Sequence, residues 1–415
     1  MQTTLLQTFL STPEGEEADR ILRSCVHCGF CTATCPTYQL LGDELDSPRG
    51  RIYLIKQVLE GQPVTQRTQR HLDRCLTCRS CETTCPSGVN YSRLLDIGRV
   101  VVEGKVKRPL LMGLQRWGLR RVLPYSRRFA ALLGLARLVK PLMPSKLKQK
   151  LPPAVVAASR PESNHARKVL VLEGCAQSVT TPNTNTAAAR VLDALGISLI
   201  SPENQGCCGA VSQHLSAETE AAGFMRRNID AWWPHIEAGA EALLVTASGC
   251  GVQVKEYGHL LRHDPQYADK AARVSALAKD LCELLENEAL DGLVSKEGAR
   301  IAYHSPCTLQ HGQQLAGRVE AILSRLGFDL TAVADSHLCC GSAGTYSILQ
   351  PELSQQLLKN KLAALEKGGP EQIATANVGC QLHLGSCASR PVRHWIELVA
   401  DGLESRATSV KADDE

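Results

Sequence analysis

The chain has 415 residues, enough for two or three domains, and 44% of them are hydrophobic, so a packed core is expected. Its net charge of +4 is too small to indicate binding to nucleic acid. Eighteen cysteines are far above ordinary usage, yet the N-terminus lacks a secretory signal and no run reaches the ~18 apolar residues of a membrane span. We therefore expect a cytoplasmic chain whose clustered cysteines are metal ligands rather than disulfides.

Residues 1–103 contain eight cysteines in two groups that share the pattern C-x2-C-x2-C-x3-C-P. This pattern is typical of bacterial ferredoxin domains that bind two [4Fe–4S] clusters. Three cysteines in a tight loop hold one cluster, whereas the fourth lies beyond the loop and reaches the neighbouring cluster. The two predicted ligand sets are Cys25, Cys28, Cys31 and Cys85 for one cluster, and Cys75, Cys78, Cys81 and Cys35 for the other.

A pair of zinc sites is the main alternative for these eight cysteines. Structural zinc commonly uses two C-x2-C pairs that are distant in sequence. Here each group has three close cysteines and a Cys-Pro, and that spacing favours iron–sulfur clusters. Arg49 and Arg51 lie between the groups, where they either pair with cluster or partner charge or belong to a helix that begins at Ser47 and Pro48.

Residues 104–165 form a basic segment interrupted by seven prolines. Between Gly104 and Pro161 there is no Asp or Glu, but there are fourteen Lys or Arg residues. Residues 110–147 mix apolar side chains with arginines, as do amphipathic helices that lie on anionic membranes. This interpretation predicts peripheral attachment to the cytoplasmic face of the inner membrane, which would suit quinone reduction. The alternative is a linker that packs against the chain's own domains or a partner.

Residues 166–415 have the pattern of a duplication, with one unit at 166–295 and the other at 296–415. The strand Lys168–Cys175 recurs 132 residues later as Arg300–Cys307. Each unit continues with a helix, a second strand, a Cys-Cys-Gly turn, a long helix and a third strand that ends at a cysteine. The last helices are predicted at Ala278–Leu290 and His394–Leu403. Strands that alternate with helices predict two α/β units with parallel sheets.

The two units carry cysteines at matching places: Cys175, Cys207, Cys208 and Cys250 in the first, and Cys307, Cys339, Cys340 and Cys380 in the second. We expect the single cysteines at the carboxyl ends of strands, where ligands gather in such sheets. The matched spacing favours a metal site over vicinal disulfides. Cys282 and Cys387 have no counterpart and are expected to be ordinary cysteines. His304 and His311 near Cys307 are either ligands or proton carriers, or hydrogen-bonded structural histidines.

Together these motifs resemble the iron–sulfur subunits of bacterial glycolate oxidases, in which a double ferredoxin domain precedes two cysteine-rich CCG domains. The resemblance is most specific over Cys25–Tyr53, Asp73–Asn90 and Ser336–Tyr346. It implies a multidomain α+β and α/β fold, with a mostly helical double-cluster domain before a duplicated α/β pair. Wider relatives are iron–sulfur subunits of glycerol-3-phosphate dehydrogenase, lactate-utilisation proteins and heterodisulfide reductase subunits.

The resemblance also implies a role in electron transfer. Separate FAD-containing subunits would oxidise glycolate to glyoxylate, and this chain would relay the electrons toward a respiratory acceptor such as a quinone. No substrate site of its own is expected. Neither FAD nor NAD is expected to bind, because Gly249-Cys250-Gly251 is followed by Val254 where a dinucleotide fingerprint needs glycine.

One departure from the wider family concerns the number of cysteines in each CCG unit. The relatives have five, but Ala247 and Asn377 stand at the fifth position here. The five-cysteine cluster of a catalytic disulfide reductase, which is the alternative function, is therefore not expected. Four cysteines are compatible with one or two further iron–sulfur clusters in the CCG units, or with empty sites.

Overall fold

A computed structural model describes residues 1–144, 148, 151–290, 293 and 299–403. The predicted fold class is confirmed, because a helical N-terminal region precedes two parallel α/β sheets. The boundaries at residues 103 and 165 stay predictions, and the boundary at 295 lies outside the described residues. None of the described helices combines the length and the apolar character needed to cross a bilayer.

The N-terminal region is built from short helices around the cysteine loops. They are Gln7–Leu10, Pro13–Ser24, Phe30–Ala33, Pro36–Leu41, Pro48–Leu59, Gln66–Asp73, Ser80–Thr83 and Tyr91–Lys105, with a 3-10 turn at Glu44–Asp46. The helix predicted to begin at Ser47 does so, because the Ser47 side chain accepts a hydrogen bond from Gly50 N at 3.0 Å and Pro48 occupies the first turn. Leu22, Ile55 and Leu94 are fully buried between these helices.

Two helices, Leu110–Val122 and Ser126–Leu138, and a 3-10 turn at Lys140–Leu142 occupy the basic segment. One face of this helix pair packs on the protein. Arg116 is buried, and the ring of Tyr125 contacts that of Phe224 edge-on at 5.6 Å between centroids. The opposite face leaves Leu111, Leu114 and other apolar side chains exposed. Residues 145–147 of the predicted amphipathic stretch lie outside the described residues.

The C-terminal region contains two four-stranded parallel sheets, and the predicted duplication is confirmed by their shared topology. The strands are β1 Arg167–Val171, β2 Ile197–Ile200, β3 Ala242–Val245, β4 Ala278–Asp280, β5 Arg300–His304, β6 Asp329–Leu330, β7 Gln372–Thr375 and β8 Val392–His394. The first sheet has the order β2-β1-β3-β4, and the second has the order β6-β5-β7-β8.

Helices cover both sheets. In the first repeat they are Gln177–Thr180, Asn183–Ala194, Ala210–His214, Glu218–Glu237, Ser248–Lys255, Tyr257–Leu260, Ala268–Leu277 and Leu281–Leu285. In the second they are Arg318–Arg325, Tyr346–Leu349, Pro351–Glu366 and Val378–Gly385, with a π-helical turn at Thr308–Gly312 and a helix over residues 395–403. One apolar core spans the two sheets, since Val169 and Leu244 of the first belong to the same cluster as Ile301 and Trp395 of the second.

Several predicted elements were wrong in detail. Each sheet has a fourth strand, because Ala278–Asp280 and Val392–His394 pair in parallel with the third strand before the last helix begins. The cysteines predicted at the third strand ends lie instead in the first turns of helices: Cys250 follows Ser248, and Cys380 follows Val378. The third strands end at Val245 and Thr375, so the chain turns into these helices sooner than its apolar run indicates.

Candidate iron–sulfur sites

The first cysteine-lined cavity lies between the two motifs of the N-terminal region. Burial raises the pKa of the Cys25 thiol, and Cys85 from the second motif lies close enough to add to that rise. The helix Phe30–Ala33 and the loop before it supply the remaining cysteines. The wall therefore includes the four residues predicted as one ligand set: Cys25, Cys28, Cys31 and Cys85.

The second cavity combines the other half of each motif. Cys35 from the first motif lies with its Sγ 3.3 Å from Thr37 Oγ1, and Tyr91 donates a hydrogen bond to Cys75 Sγ at 3.6 Å. Cys81 also lines the first cavity, so the two cavities are immediate neighbours. The second wall includes the other predicted set: Cys35, Cys75, Cys78 and Cys81.

The sulfur donors of both cavities fit iron–sulfur clusters. Every cysteine of the chain is a free thiol, so no vicinal disulfide is present. Burial raises the pKa of Cys31 to about 11, and it raises the pKa values of Cys78 and Cys81 well above the ordinary range. Buried thiolates without a counter-charge are costly, and iron would supply that positive charge. The exact ligand assignment stays a prediction.

A buried ionic network supports the second cavity. Asp46 is fully buried, and its carboxylate contacts Arg51 at 3.3 Å, Arg74 at 2.7 Å and His71 Nδ1 at 3.0 Å. Arg51 lines the cavity and donates to Thr37 Oγ1 at 3.1 Å. The capped-helix interpretation describes Arg51, which also places a positive charge beside the cysteines, while its pairing with cluster or partner charge stays a prediction. Charged groups just outside the ligands of a cluster change its reduction potential.

The four cysteines of the first repeat form a continuous chain of sulfur contacts. Cys175 Sγ lies 3.5 Å from Cys207 Sγ, and Cys208 interacts with both Cys207 and Cys250. The Cys-Cys pair can lie this deep because Gly209 follows it with a φ of +94° and fits against the backbone of Ala221. The sequence prediction that these residues gather is consistent with this geometry, while their role as ligands stays a prediction.

The second repeat reproduces this arrangement and adds a histidine. Cys307 Sγ lies 3.7 Å from Cys339 Sγ, and Cys340 contacts Cys339 and Cys380. A ring nitrogen of His304 and the Sγ atoms of Cys340 and Cys380 all lie within 4.8 Å of one another. The interpretation of His304 as a hydrogen-bonded structural histidine was wrong, because neither ring nitrogen has a hydrogen-bond partner among the described residues.

His311 behaves differently from His304. Its Nδ1 lies 2.9 Å from Thr83 Oγ1 of the N-terminal region, and its Nε2 lies 3.0 Å from the carbonyl oxygen of His337. The structural interpretation therefore describes His311. Cys282 and Cys387, which were expected to be ordinary cysteines, line none of the cysteine cavities described above.

A central cavity of about 360 Å³ lies where the N-terminal region, the basic helices and both repeats meet. Its lining includes Cys75 and seven of the eight repeat cysteines, whereas Cys340 is fully buried outside it. Leu123 and Phe129 of the basic helices form part of an apolar wall. The cavity therefore places the N-terminal and C-terminal cysteine groups around one shared space.

Four polar residues near these sites were missed by sequence reasoning. His214 lines two of the cavities, where burial lowers its pKa, and burial raises the pKa of the neighbouring Asp96. Arg116 also lines the central cavity, and Lys361 is buried beside the second-repeat cysteines. No local motif in the sequence identifies any of the four.

Comparison with known proteins identifies the domains in this geometry. Residues 21–89 match a 4Fe-4S dicluster domain, and residues 169–255 and 301–385 each match a cysteine-rich domain. The glycolate oxidase iron–sulfur subunit of Escherichia coli (strain K12) is 60% identical over 405 residues, which cover 97% of this chain and all of that protein. The chain belongs to the family of glycolate oxidase iron–sulfur subunits.

Two further similarities concern the sequence and the fold, respectively. A probable glycolate oxidase iron–sulfur subunit of Bacillus subtilis (strain 168) is 31% identical over 399 residues, or 88% of each chain. A crystal structure of a hypothetical protein from Helicobacter pylori superimposes with a TM-score of 0.56 at 10% identity, over 95% of this chain and 73% of that one. The latter supports the fold alone. The iron–sulfur and oxidoreductase character predicted from the sequence is confirmed by the family.

Proposed function

We propose that the chain relays electrons from FAD-containing subunits, which oxidise glycolate to glyoxylate, toward a respiratory quinone. The observation that carries this proposal is the pair of adjacent cavities in which cysteines of both N-terminal motifs are interleaved. A single zinc-type site would not need this crossed arrangement. The relatives named as glycolate oxidase subunits supply the substrate class.

In this proposal the chain's role is to hold clusters rather than substrate. Cys25, Cys28, Cys31 and Cys85 hold one [4Fe–4S] cluster, Cys35, Cys75, Cys78 and Cys81 hold a second, and cysteines of each repeat hold one further iron–sulfur cluster. When bound, such clusters accept and release single electrons. The surrounding side chains exclude water and fix the charge near the sulfur atoms, as Arg51 does beside Cys35 and Cys75.

The central cavity is the proposed place for the acceptor. Its apolar wall suits a quinone ring, and it adjoins both cysteine-rich repeats. Arg116 and His214 supply polar side chains that can hydrogen-bond to the carbonyl oxygens of a quinone. We propose no FAD or NAD site in this chain, because the turn after β1 reads Glu173-Gly174-Cys175 and carries cysteine instead of a glycine-rich phosphate loop.

The basic helices are the proposed membrane contact, on the cytoplasmic face of the inner membrane. They carry exposed leucines and arginines on the side away from the protein. Apolar side chains would enter the interface, while each arginine near an anionic surface contributes about 1 kcal/mol. A quinone that is dissolved in the membrane would then lie next to the outer wall of the central cavity.

Reconstitution of the complex tests the electron-transfer proposal. The chain is purified anaerobically with and without the FAD-containing subunits, and its EPR spectrum is recorded before and after addition of glycolate. We expect glycolate to reduce the clusters only when the FAD-containing subunits are present, and a short-chain quinone to reoxidise them. Glycolate oxidation or disulfide reduction by the isolated chain would contradict the proposal, as would a colourless protein that contains zinc and no iron.

Replacement of exposed leucines tests the membrane contact. Leu111 and Leu114 are 83% and 63% exposed, and we expect the double variant Leu111→Gln/Leu114→Gln to lose binding to anionic lipid vesicles in a sedimentation assay. The matched control is Val156→Gln, since Val156 is 87% exposed but lies outside the helices. Equal vesicle binding by the double variant, the control and the unchanged protein would reject the membrane contact and leave the electron-transfer role intact.

A further inference from the structure

The two repeats differ at one buried position next to their cysteines. Cys175 and Cys307 are counterparts, and the residues three positions before them are Leu172 and His304. Leu172 is almost fully buried in the apolar cluster of the first repeat. His304, at the end of β5, is equally buried, so an imidazole replaces an isobutyl group in the same place.

His304 has no protein partner that explains its burial. Both ring nitrogens lack a hydrogen bond within the described parts of the chain. Lys361, whose charge acts on His304, instead donates to the carbonyl oxygens of Asp335 at 2.7 Å and Ser336 at 3.4 Å. His383 Nε2 lies 3.2 Å from Ser354 Oγ. An unpaired polar group in a protein interior costs free energy, and here a metal ion would recover it.

The sulfur atoms around His304 are placed for such an ion. One His304 nitrogen, Cys340 Sγ and Cys380 Sγ lie within 4.8 Å of one another, which allows one metal ion to contact all three. Cys339 adjoins Cys340, and Cys307 Sγ lies 3.7 Å from Cys339 Sγ. The nitrogen and sulfur donors therefore spread over a larger space than one metal ion can contact, which favours a cluster with several iron atoms. No such group of three ligand atoms occurs around Cys208 and Cys250 in the described first repeat.

We propose that His304 is an iron ligand of the cluster in the second repeat, together with cysteines from the set Cys307, Cys339, Cys340 and Cys380. This inference rests on the proposed function, because it takes the second repeat to be a cluster site. The first repeat, with Leu172 in the same place, then holds a cluster with thiolate ligands only. The two repeats are therefore unlike centres, although their topology is the same.

The two repeats also differ in a second buried side chain next to their cysteines. Gly209 packs against Ala221 and Gly341 against Ser354, so the long helices align with Asn228 opposite Lys361. Asn228 is a neutral amide that bonds to Gly206 N and Cys207 O, whereas Lys361 is a buried amine. A neutral imidazole in place of a thiolate and a nearby positive charge both raise the reduction potential of an iron–sulfur cluster. The second-repeat cluster is therefore expected to be reduced at a higher potential than the first.

Nitrogen hyperfine spectroscopy tests the ligand directly. The full chain is labelled with 15N-histidine, purified anaerobically and poised at a series of potentials, and pulsed EPR is recorded. We expect one cluster signal with a nitrogen coupling large enough for direct coordination. In His304→Leu, which copies the first repeat, this coupling should disappear, and in the matched variant Leu172→His the original coupling should remain.

A cysteine variant keeps the test valid even if His304→Leu does not fold. His304→Cys offers a thiolate at the same place, so we expect full iron content, no directly bound nitrogen and a lower midpoint potential for that signal. Absence of iron-bound nitrogen in the unchanged protein would overturn the proposal, and so would persistence of the coupling in His304→Cys or zinc instead of iron in the second repeat.

The experiments distinguish a failure of the His304 assignment from a failure of the proposed function. If glycolate with the FAD-containing subunits reduces the chain, but no cluster has a nitrogen ligand, His304 is not a ligand and the electron-transfer proposal stands. If the nitrogen coupling is present but glycolate never reduces the clusters, the ligand assignment holds and the substrate assignment fails.

Discussion

Cys35 and Cys85 are the residues whose positions decide how the two N-terminal sites are assembled. Each belongs to one motif in sequence but lines the cavity formed mainly by the other motif. The sequence predicted this exchange, because three cysteines at i, i+3 and i+6 fill a tight loop and leave the fourth outside it. The exchange of ligands stays a prediction, and local spacing was sufficient to make it, since the constraint acts over only a few residues.

Removal of Cys85 tests the crossed arrangement. We expect Cys85→Ala to lose about half of the N-terminal iron, and the lost EPR signal should be that of the cluster held by Cys25, Cys28 and Cys31. Iron analysis with EPR of the reduced protein measures both quantities. Cys387→Ala is the control, because Cys387 is exposed and lies outside the cavities. Loss of the signal that depends on Cys75 instead would show that the ligands are not exchanged.

Other residues of the sites could not be found from the sequence. Asp46 contacts His71 and Arg74, which lie 25 or more positions away, and no local pattern links a carboxylate to partners at that distance. The role of His304 could not be predicted for a different reason, because the same sequence context suits a structural histidine or a metal ligand. Only the absence of hydrogen-bond partners among the residues that the structure describes separates these two roles.

Among the elements, the Cys-Cys-Gly turns are the ones whose backbone most clearly requires glycine. Gly341 has a φ of +90°, and a Cβ at this position would lie 2.7 Å from the carbonyl oxygen of Ser354. The Ser354 hydroxyl also donates to the Gly341 carbonyl oxygen at 2.8 Å. The turn is therefore held directly against the helix Pro351–Glu366, which fixes the depth of Cys339 and Cys340.

Two glycine variants test whether the close packing of this turn contributes to stability. We expect Gly341→Ala to lower the free energy of unfolding by about 1–3 kcal/mol more than Gly344→Ala, because it adds an overpacking cost. Gly344 also has a positive φ, of +60°, but no atom lies within 4 Å of its added Cβ. Anaerobic urea unfolding followed by circular dichroism measures the difference. Equal destabilisation would mean that backbone conformation alone matters at both glycines.

Element types were predicted more successfully than element ends. The first three strands of each repeat and the helices between them follow from apolar runs and glycine positions, and the structure has them in the predicted order. The fourth strands were missed because β4 and β8 have three residues each and run directly into helices. Periodicity cannot separate three extended residues from the first turn of a helix. Their pairing with β3 and β7 depends on distant residues instead.

On the scale of the whole molecule, the contacts between regions are the feature that sequence patterns leave undetermined. Tyr346 donates to the carbonyl oxygen of Arg74 at 3.1 Å, and Arg79 pairs with Glu256 at 2.5 Å. These contacts attach the N-terminal region to both repeats. No periodicity or motif encodes them, because each depends on the three-dimensional arrangement of complete domains.

One contact between the repeats should make stability depend on pH. His394 Nε2 lies 3.0 Å from the carbonyl oxygen of Thr246, and burial lowers the pKa of His394 from 6.5 to about 4. The unfolded chain therefore binds this proton more readily than the folded chain. The stabilising contribution is fully present above pH 6.5 and is lost as the pH falls toward 4, with a total of roughly 3 kcal/mol.

A neutral replacement of His394 tests this dependence. We expect His394→Gln to reduce the loss of unfolding free energy between pH 7.5 and pH 5 relative to the unchanged protein, since glutamine can still donate to the Thr246 carbonyl oxygen but does not titrate. Urea unfolding at both pH values provides the measurement. His263→Gln, at an exposed histidine, is the control. An identical pH dependence in both variants would assign the effect to other groups.

The apolar cluster that joins Val169 and Leu244 to Ile301 and Trp395 has a consequence for how the duplicated half can be divided. Each copy also has an apolar cluster of its own, but a chain severed between the copies would leave each piece with an uncovered apolar face, like one subunit of an obligate dimer. Separately produced pieces should precipitate, whereas pieces made together should reassociate. The duplicated half is in this sense a dimer whose two subunits are joined by the chain.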